Sequence, residues 1–540
     1  MLMCFWCLFA AKKFMKYSTV YSLFVDRVKN AEAKDVFYFR ANDRWQGISW
    51  QRFEQETFEF ATALLSHGLE RGGSVCILMG NVPEWPISDI GTIMAGGVGV
   101  GLYPTSSAEQ IAYIINHSDA EFVLVDSREQ LQKLLSVRDQ LAKIRHVIAL
   151  DASASNDVIS YRDFIERGRA ERSRFASLLQ ERAERAKPDD IAIMVYTSGT
   201  TGPPKGACLS HRYIINSVES LRQTIPIYDT DVSFSYLPFC HVAERISGLY
   251  NRLYAGASAY FVDDLARLGE YMLEVKPTVF ASLPRFFEKI HARIVSDGAT
   301  NVKDYFGGRI RLLTSGGAPL PLEVAEFFAA AGLPILQAYG LTENVCVAFN
   351  RLDGFKFGTV GPPMPGCEVR IAADKEILVR SEMMFNGYYK APEETAKVFS
   401  DGWLLTGDLG EIDEDGFLKI IGRKKELIVT STGKKVAPAL LENMLKESHL
   451  ISQAMVYGEG RSYLVALITL NGHAERETVQ AIVDGVNRRV SSTESIKRFA
   501  ILDRDLEIAR DEITPTGKLR RDVITERFRK EIEKLYLATD

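Results

Sequence analysis

The chain has 540 residues, of which 46% are hydrophobic and 25% charged, and its formal net charge is -5. This length predicts two or more well-buried cores, and the hydrophobic content excludes an intrinsically disordered chain. Acidic and basic residues nearly balance, so no basic surface for nucleic acid is expected. Seven cysteines without disulfide or zinc spacing indicate a reducing, cytoplasmic location.

Residues 1–14 form an apolar run that ends in basic residues. The run is shorter than the ~20 residues that a membrane span needs, and a secretory signal would carry its charges before the apolar part. We interpret 1–14 as a non-native or weakly structured extension, with Met15 as the true start. A weak anchor at the membrane surface is the alternative, and it would place the protein peripherally at the inner face of the membrane.

Short apolar runs alternate with helical patterns along the chain, which predicts an α/β fold with parallel sheets covered by helices. Helices are expected at 213–224 and 322–331, and a solvated helix or loop at the Arg- and Glu-rich segment 161–190. The predicted strands are 75–79, 122–125, 146–150, 191–196 and 232–237.

The sequence pattern changes after Gly416. A predicted strand at 417–421 is interrupted by 422–426 and resumes at 427–429. We therefore divide the chain into a large N-terminal domain, 15–423, and a small mobile α+β domain, 424–540. The small domain is expected to contain a strand at 463–470 and one helical tail at 521–536.

A loop rich in Gly, Ser and Thr follows a predicted buried strand and precedes a helix. Its glycine N–H groups and hydroxyls suit phosphate oxygens, and Lys205 adds a positive charge. Pro204 and Gly206 stand where a Walker A loop has Gly and Ser or Thr, so an ordinary kinase or ATPase is disfavoured. A flexible surface loop would explain the composition but not the position. The predicted polyphosphate-binding residues are Thr197, Ser198, Gly199, Thr200, Thr201, Gly202 and Lys205.

This loop resembles the signature of the adenylate-forming superfamily of acyl-CoA synthetases, luciferases and peptide-synthetase adenylation domains. Further segments resemble that superfamily in the same order, and together they span nearly the whole chain. They are Ser-Gly-Gly-Ala-Pro from 315, Gln-Ala-Tyr-Gly-Leu-Thr-Glu from 337, Thr-Gly-Asp from 406, Gly-Arg from 422 and Thr-Gly-Lys from 516. The resemblance implies an enzyme that uses ATP to convert a carboxylic acid to an acyl-adenylate and then transfers the acyl group to a thiol.

The resemblance also implies roles for individual residues in binding the nucleotide. Tyr339 would stack on the adenine, whereas a lone tyrosine at a strand end could equally be a core residue. Asp408, expected in a Gly-bounded turn, would accept both ribose hydroxyls with help from Arg423. The remaining residues expected around the nucleotide are Gly316, Gly317, Ala318, Gly340 and Thr342.

Two further roles concern charge. Thr197 and Glu343 offer hard oxygen ligands and would bind Mg²⁺ by this resemblance, although Glu343 alone would read as a solvent-exposed residue. Lys518 would contact the carboxylate and the α-phosphate during adenylation, where negative charge develops. The alternative interpretation of Lys518 is a surface lysine without a catalytic role. The implied catalytic residues are Lys518, Glu343, Thr197 and Lys205.

Such enzymes are similar in rotating their small domain between the two half-reactions. Lys425 matches the hinge position, where relatives often carry Asp. Gly433 would leave room for the pantetheine arm of coenzyme A. Lys434 and Lys435 could contact the phosphates of coenzyme A or form a solvated face, and both interpretations remain open.

The segment Tyr-Leu-Pro-Phe-Cys-His-Val-Ala-Glu-Arg from 236 resembles Leu-Pro-x-x-His-x-x-Glu-Arg of long-chain fatty acyl-CoA synthetases. His241 would line the carboxylate end of the acyl site, with a structural histidine as the alternative. Gly517 departs from the larger residue that long-chain enzymes usually carry there. We predict a long-chain fatty acid–CoA ligase that uses ATP, Mg²⁺ and coenzyme A.

Two alternatives are kept. One is an adenylating ligase for a medium-chain or aryl acid, or one with a carrier-protein acceptor. The other, from a different class, is a non-catalytic nucleotide-binding scaffold or transport accessory. The presence of Lys205, Glu343, Asp408 and Lys518 together argues against the second.

Overall fold

A computed structural model describes residues 16–31, 34–151, 157–197, 203–514 and 517–537. The predicted extension 1–14 lies outside them. The chain forms two compact units: one runs up to Tyr196 and adds Gly206–Arg222 and Pro238–Ala257, and the other comprises Thr197–Lys205, Gln223–Leu237 and the chain from Ser258. None of the helices within the described ranges combines the length and apolar character needed to cross a membrane.

The first unit alternates strands and helices. Its strands are β1 (Asp35–Ala41), β2 (Arg44–Ser49), β3 (Ser74–Leu78), β4 (Val98–Gly101), β5 (Ala120–Val125), β6 (His146–Ala149), β7 (Val158–Ser160), β8 (Ile191–Thr197) and β9 (Lys205–Ser210). Its helices are α1 (Val20–Lys29), α2 (Trp50–Ser66), α3 (Glu84–Met94), α4 (Ala108–His117), α5 (Arg128–Leu135), α6 (Tyr161–Glu184), α7 (His211–Thr224) and α8 (Asn251–Ala255).

The main sheet of the first unit has the strand order β7-β6-β5-β3-β4-β8-β9. Neighbours from β7 to β8 are parallel, and every residue of β3 and β4 is buried. Parallel strands buried on both faces need helices on each side, which explains their continuous apolar sequences. The predicted parallel sheet is confirmed.

Several helices of the first unit begin at a serine. The side chains of Ser49, Ser107, Ser127 and Ser160 each accept a hydrogen bond from a backbone N–H in the first turn of α2, α4, α5 and α6. Such caps satisfy N–H groups that have no partner within the helix.

Helices α2, α3 and α6 pack closely because glycines remove side chains where backbones meet. A Cβ at Gly91 would lie 3.0 Å from the Thr57 carbonyl oxygen, and one at Gly168 would lie 1.8 Å from that of Glu59. Most of the Arg- and Glu-rich segment 161–190 forms the helix α6, and its apolar positions face α2.

The second unit contains several sheets within the part of the chain that the structure describes. Its strands are β10 (Val232–Ser235), β11 (Ser258–Phe261), β12 (Val279–Ser282), β13 (Leu312–Ser315), β14 (Ile335–Leu341), β15 (Asn344–Phe349), β16 (Cys367–Ile371), β17 (Glu376–Ser381), β18 (Phe399–Ser400), β19 (Trp403–Ile412), β20 (Leu418–Arg423), β21 (Ile428–Val429), β22 (Lys435–Val436), β23 (Ile451–Tyr457), β24 (Leu464–Leu470) and β25 (Ile496–Ile501). Its helices are α9 (Leu268–Val275), α10 (Pro284–Asp297), α11 (Leu322–Ala330), α12 (Pro392–Lys397), α13 (Pro438–Leu445), α14 (Arg476–Asn487), α15 (Arg521–Arg527) and α16 (Arg529–Leu537).

Strands β12, β13 and β14 are parallel neighbours, and β15 returns antiparallel beside β14. An antiparallel sheet follows in the order β16-β17-β19-β18, with β20 paired to β19. The last sheet is β23-β24-β25. These arrangements bring the hairpin β14–β15 and the strand pair β19–β20 into the same unit.

The C-terminal part of the second unit has apolar clusters of its own, formed by buried residues between Ile428 and Ile532. This supports an independent small core, while the boundary at 423/424 stays a prediction. Two local expectations are wrong. β20 continues through Arg423, and the interruption is the 3-10 turn Lys424–Glu426. The helical tail breaks at Phe528 (φ -102°, ψ 25°), which lets its ring pack into the core.

Candidate active site

Thr197 and Lys205 flank the predicted phosphate-binding loop. Thr197 ends β8 and Lys205 begins β9. Five predicted loop residues, Ser198, Gly199, Thr200, Thr201 and Gly202, lie outside the described residues. Their phosphate-binding role stays a prediction.

Lys205 is held by two side chains. Its ammonium forms an ion pair with Glu394 in α12 and lies 5.2 Å from the centre of the Tyr388 ring. Glu394 also pairs with Lys397. Hydrogen bonds from Lys205 and then Lys397 lower the pKa of Glu394 to about 2. Glu394 therefore stays ionised at neutral pH, and it keeps the Lys205 cation paired.

Glu343 lies in the turn between β14 and β15. Its backbone oxygen accepts a hydrogen bond from Phe385 N–H at 2.8 Å, and its carboxylate accepts one from the Tyr388 hydroxyl. Burial and the neighbouring Glu343 charge raise the pKa of Tyr388, so its hydroxyl remains a donor. One hydrogen bond thus holds the backbone of Glu343 and another holds its carboxylate, and together they fix the orientation of the side chain.

The donors expected for magnesium fit its chemistry. A hydroxyl from Thr197 and a carboxylate from Glu343 are hard oxygen ligands, and Mg²⁺ in nucleotide sites takes few protein ligands besides phosphates and waters. Within the described part of the chain, no group of three or more His, Cys, Asp and Glu side chains could hold a metal. A two-ligand site of this kind is compatible with that finding.

Tyr339, Asp408 and Arg423 form one hydrogen-bonded group. The Tyr339 hydroxyl donates to one oxygen of Asp408 at 2.6 Å, and Arg423 Nε donates to the other at 2.8 Å. Burial and then the Asp408 charge raise the pKa of Tyr339 well above its ordinary value. Burial alone would lower the pKa of Arg423, but Asp408 and Glu426 raise it by more.

The expected Gly-bounded turn around Asp408 is wrong. Asp408 lies inside β19 opposite Arg423 of β20. Gly407 has a φ of +71°, which glycine adopts readily because it has no Cβ, and the Glu376 carboxylate accepts its N–H at 2.9 Å. Pairing across the two strands brings the carboxylate and the guanidinium together, as the resemblance implied for ribose binding.

The glycines near Tyr339 have different surroundings. Gly316 and Gly317 follow β13, the parallel neighbour of β14, and a Cβ at Gly316 would lie 3.4 Å from the Ala338 carbonyl oxygen. Ala318 continues this loop. At Gly340 a Cβ would lie 2.0 Å from the Val345 carbonyl oxygen. Gly340 therefore has a packing role in the hairpin β14–β15. Thr342 lies in the turn of the same hairpin.

Lys518 lies in a short turn of the small C-terminal part. Its N–H donates to the Thr514 hydroxyl at 3.0 Å, and its carbonyl accepts from Thr514 N–H at 2.8 Å. Although the residue is solvent-exposed, crowding of protein atoms around its ammonium lowers its pKa, and repulsion from Arg423 lowers it further. Attraction from Asp408, Glu426 and Glu343 opposes both effects. Lys518 is thus in the electrostatic environment of the Asp408 and Glu343 groups.

Two predicted residues of the small domain lie on turns. Lys425 is exposed in the 3-10 turn after β20. Gly433 has φ +77° in the turn from Thr430 to Lys434, a conformation that favours glycine. Their roles as hinge and as an opening for a pantetheine arm stay predictions.

His241 belongs to the first unit. Its Nδ1 accepts a hydrogen bond from Ala243 N–H at 3.1 Å, just before the π-helix Ala243–Tyr250. That hydrogen bond leaves Nε2 as the protonated nitrogen of the neutral ring. The contact with substrate stays a prediction.

The charged pair that follows His241 in the sequence is buried. Arg245 pairs with Asp89 of α3, whose second oxygen also accepts from the Tyr250 hydroxyl at 2.7 Å. Glu244 pairs with Arg252. Removing one partner would leave an unpaired buried charge, so substitution of either residue in the Glu-Arg part of this motif would destabilise the first unit.

Sequence reasoning missed Tyr388 and Glu394. No role was predicted for either residue. The signal that could have found Glu394 is Pro-Glu-Glu from 392, which indicates the acidic first turn of a helix. Nothing local indicates that Tyr388 contacts Glu343, because 45 residues separate them.

The chain matches known families along most of its length. Residues 24–389 match the AMP-binding enzyme family, and residues 425–540 match the AMP-binding enzyme C-terminal domain.

Three relatives are similar over most of the chain. The long-chain-fatty-acid–CoA ligase FadD15 of Mycobacterium bovis is 32% identical and covers 93% of this chain and 94% of its own. The long chain acyl-CoA synthetase 6, peroxisomal, of Arabidopsis thaliana is 30% identical, with coverage of 88% and 79%. The long-chain-fatty-acid–CoA ligase ACSBG2 of Xenopus laevis is 27% identical, with coverage of 96% and 84%.

Solved structures share the fold. The anthranilate CoA ligase AuaEII in complex with anthranoyl-AMP has a TM-score of 0.81 at 21% identity and covers 96% of this chain and 98% of its own. ATP-bound MatB from Rhodopseudomonas palustris has a TM-score of 0.77 at 24% identity, with coverage of 95% and 99%. The expected adenylate-forming fold is confirmed. The chain belongs to the AMP-binding enzyme family, the adenylate-forming superfamily.

Proposed function

We propose that this protein is an AMP-forming long-chain fatty acid–CoA ligase. In the first step a fatty acid carboxylate oxygen attacks the α-phosphorus of ATP, the acyl-adenylate forms and pyrophosphate leaves. In the second step the thiolate of coenzyme A attacks the acyl carbonyl, the thioester forms and AMP leaves. The observation that carries the proposal is that one compact unit contains Lys205, Glu343, Tyr339, Asp408 and Lys518. Within it the Tyr339 hydroxyl donates to Asp408, and the charges of Asp408 and Glu343 attract the Lys518 ammonium.

The side chains have separate tasks in this proposal. Asp408 and Arg423 bind the ribose, and the Tyr339 ring contacts the adenine. Lys205 binds the β- and γ-phosphates. The ammonium of Lys518 compensates the charge that develops on the α-phosphate and the attacking carboxylate, which is where a preorganised cation lowers a barrier most.

Mg²⁺ bound by Thr197 and Glu343 would neutralise phosphate charge. The remaining tasks concern the acyl and thiol substrates. His241 lines the acyl site at the carboxylate end, Lys425 is the hinge of the segment 424–540, and Gly433 admits the pantetheine arm.

The acid is inferred from relatives. The three relatives above are named for long-chain fatty acids, while the named substrate of the anthranilate ligase belongs to a protein with only 21% identity. We therefore propose a long-chain fatty acid. We also propose a cytoplasmic enzyme that associates peripherally with the inner face of the membrane, where its substrate is concentrated; cell fractionation of the full chain tests this location.

The direct experiment incubates the purified protein with ATP, Mg²⁺, coenzyme A and a competing mixture of short- to long-chain fatty acids and aryl acids. Mass spectrometry then identifies the acyl-CoA products. Long-chain acyl-CoA as the dominant product supports the proposal. Aryl or medium-chain products would overturn the acid, acyl-adenylate without acyl-CoA would indicate another thiol acceptor, and no product would favour a non-catalytic binder.

A further inference from the structure

A short turn of the second unit and the helix that follows it, α12, carry side chains that hold two residues of the predicted site. The turn starts at Gly387, whose φ is +95°, and leads into α12. Tyr388 N–H donates to the Thr395 hydroxyl at 2.9 Å, and that hydroxyl donates to the Ala391 carbonyl at 2.9 Å. A Cβ at Gly387 would lie 2.9 Å from the Thr395 methyl group. These contacts fix the turn against α12.

One side chain of this turn and one of α12 reach the site. The Tyr388 hydroxyl donates to the Glu343 carboxylate, and the Tyr388 ring lies 5.2 Å from the Lys205 ammonium. Glu394, in the first turns of α12, pairs with the same ammonium. One short segment therefore contacts both the predicted phosphate lysine and the predicted magnesium ligand.

The contacts restrict groups that would otherwise move freely. A lysine has a flexible four-carbon stem and three N–H donors, so an ion pair that uses one donor leaves two for phosphate oxygens. A carboxylate has about four acceptor positions, so one bond from a hydroxyl leaves others for a cation. In protein kinases, a glutamate similarly holds the lysine that binds the nucleotide phosphates.

We propose that Tyr388 and Glu394 are positioning residues that hold Glu343 and Lys205 for the magnesium complex of a nucleoside triphosphate. The proposal rests on the proposed function in taking ATP as that nucleotide. It adds two residues outside the predicted site, and each acts through another residue rather than on the substrate.

The first test uses neighbouring glutamates. Glu394→Gln keeps the side-chain shape but removes the charge, and the exposed Glu393 gives the matched control Glu393→Gln. Binding of Mg·ATP to the full chain is measured by calorimetry without fatty acid. We expect Glu394→Gln to bind about tenfold more weakly, which equals ~1.4 kcal/mol, and Glu393→Gln to bind like wild type. Glu394→Asp, which keeps the charge on a shorter stem, is expected to lose less.

A double-mutant cycle checks that Glu394 acts through Lys205. In Lys205→Met, which has no ammonium to hold, the additional change Glu394→Gln is expected to leave Mg·ATP binding unchanged. A merely structural role for Glu394 would instead give the same loss with and without Lys205. Thermal unfolding of each variant checks that it is folded.

The second test separates the hydroxyl of Tyr388 from its ring. Tyr388→Phe keeps the ring beside Lys205 but removes the bond to Glu343. We expect the Mg²⁺ concentration needed for half-maximal ATP binding to rise about fivefold, or ~1 kcal/mol, while binding of ATP without Mg²⁺ stays as in wild type. An equal loss with and without Mg²⁺ would overturn the role of Tyr388.

These outcomes are distinct from those that test the proposed function. Wild type that binds Mg·ATP but makes no acyl-CoA contradicts the ligase and leaves the positioning roles standing. Wild-type binding in Glu394→Gln, equal losses in the two glutamine variants, or no Mg·ATP binding by wild type overturns the positioning proposal.

Discussion

Lys518 illustrates how the surroundings of a single residue define its chemistry. Crowding by protein atoms and the charge of Arg423 lower the pKa of its ammonium, while three carboxylates oppose that effect. A lysine with a lowered pKa loses its proton at a lower pH than the ordinary value of ~10.4. We therefore expect the adenylation rate to decline on the alkaline side before a normal lysine would titrate.

Lys518→Ala is expected to slow acyl-adenylate formation by about 10²- to 10³-fold, the usual effect of removing one preorganised donor from a developing charge. Pyrophosphate exchange measures this step. Conversion of supplied acyl-adenylate to acyl-CoA should change much less, because pyrophosphate has already left. Lys530→Ala, at an exposed lysine in α16, is the control. Equal damage to both half-reactions would contradict a role confined to adenylation.

At the residue scale, a contact could be expected where the resemblance paired two residues, but not where it depends on a distant partner that no motif indicated. The resemblance implied that Asp408 and Arg423 act together on the ribose. They are hydrogen-bonded at 2.8 Å, and the ribose contact stays a prediction. The sequence did not indicate that Tyr339 donates to Asp408 or that Glu394 pairs with Lys205, because 69 and 189 residues separate these partners. One sequence contains no information on such contacts.

The helices of the first unit show what glycine contributes at the scale of elements. At Gly168 the backbones of α2 and α6 approach so closely that no side chain fits. The sequence predicted a solvated segment here because Arg and Glu dominate it. Those charges occupy the outer face of α6, while Tyr161, Phe164 and Leu179 are buried on the inner face. The apolar residues of this segment recur with the 3.6-residue period of a helix, but the many Arg and Glu residues made that pattern hard to recognise.

Gly168→Ala is expected to lower stability by about 1–3 kcal/mol, because the helices must separate to admit the methyl group. Gly269→Ala in α9 is the matched control, since a Cβ there would meet no atom within 4 Å. In a helix with free space, alanine is favoured over glycine, so this variant should unfold at or above the wild-type temperature. Differential scanning calorimetry compares them; a similar midpoint in both variants would contradict close packing at Gly168.

Strand positions were predictable because buried parallel strands have continuous apolar sequences with polar ends. The predicted 146–150 and 191–196 correspond to His146–Ala149 and Ile191–Thr197. In the antiparallel sheet, β20 corresponds to the predicted strand 417–421, but β16 to β19 were not predicted. Strands β16 and β17 are partly exposed and their buried and exposed positions alternate irregularly. The break at Phe528 also escaped prediction, because packing rather than a Pro or Gly causes it.

At the scale of the molecule, charge and burial set the response to pH. His211 is buried in the first unit, where burial lowers its pKa to about 4 and its Nδ1 accepts from Val20 N–H at 3.3 Å. Since the pKa in the unfolded chain is ~6.5, the unfolded state binds this proton first, and stability is lost as pH falls from ~6.5 towards 4.

His211→Asn removes the titrating group and keeps an acceptor for Val20. We expect the free energy of unfolding of this variant to fall less than that of wild type between pH 7 and pH 4, by on the order of 3 kcal/mol. Denaturant unfolding at each pH measures it. His473→Asn, at an exposed histidine, should follow wild type. Identical pH profiles for wild type and His211→Asn would show that other groups control the acid response.

The division of the chain between the two units has a consequence for synthesis on the ribosome. The first unit lacks its last segment until Pro238–Ala257 has emerged, and by then Gln223–Leu237 of the other unit has already been made. Domains generally fold from the N-terminus as the chain lengthens. Here part of the second unit has already been translated when the first unit completes its fold. That part stays unfolded until the later strands of the second unit have been translated.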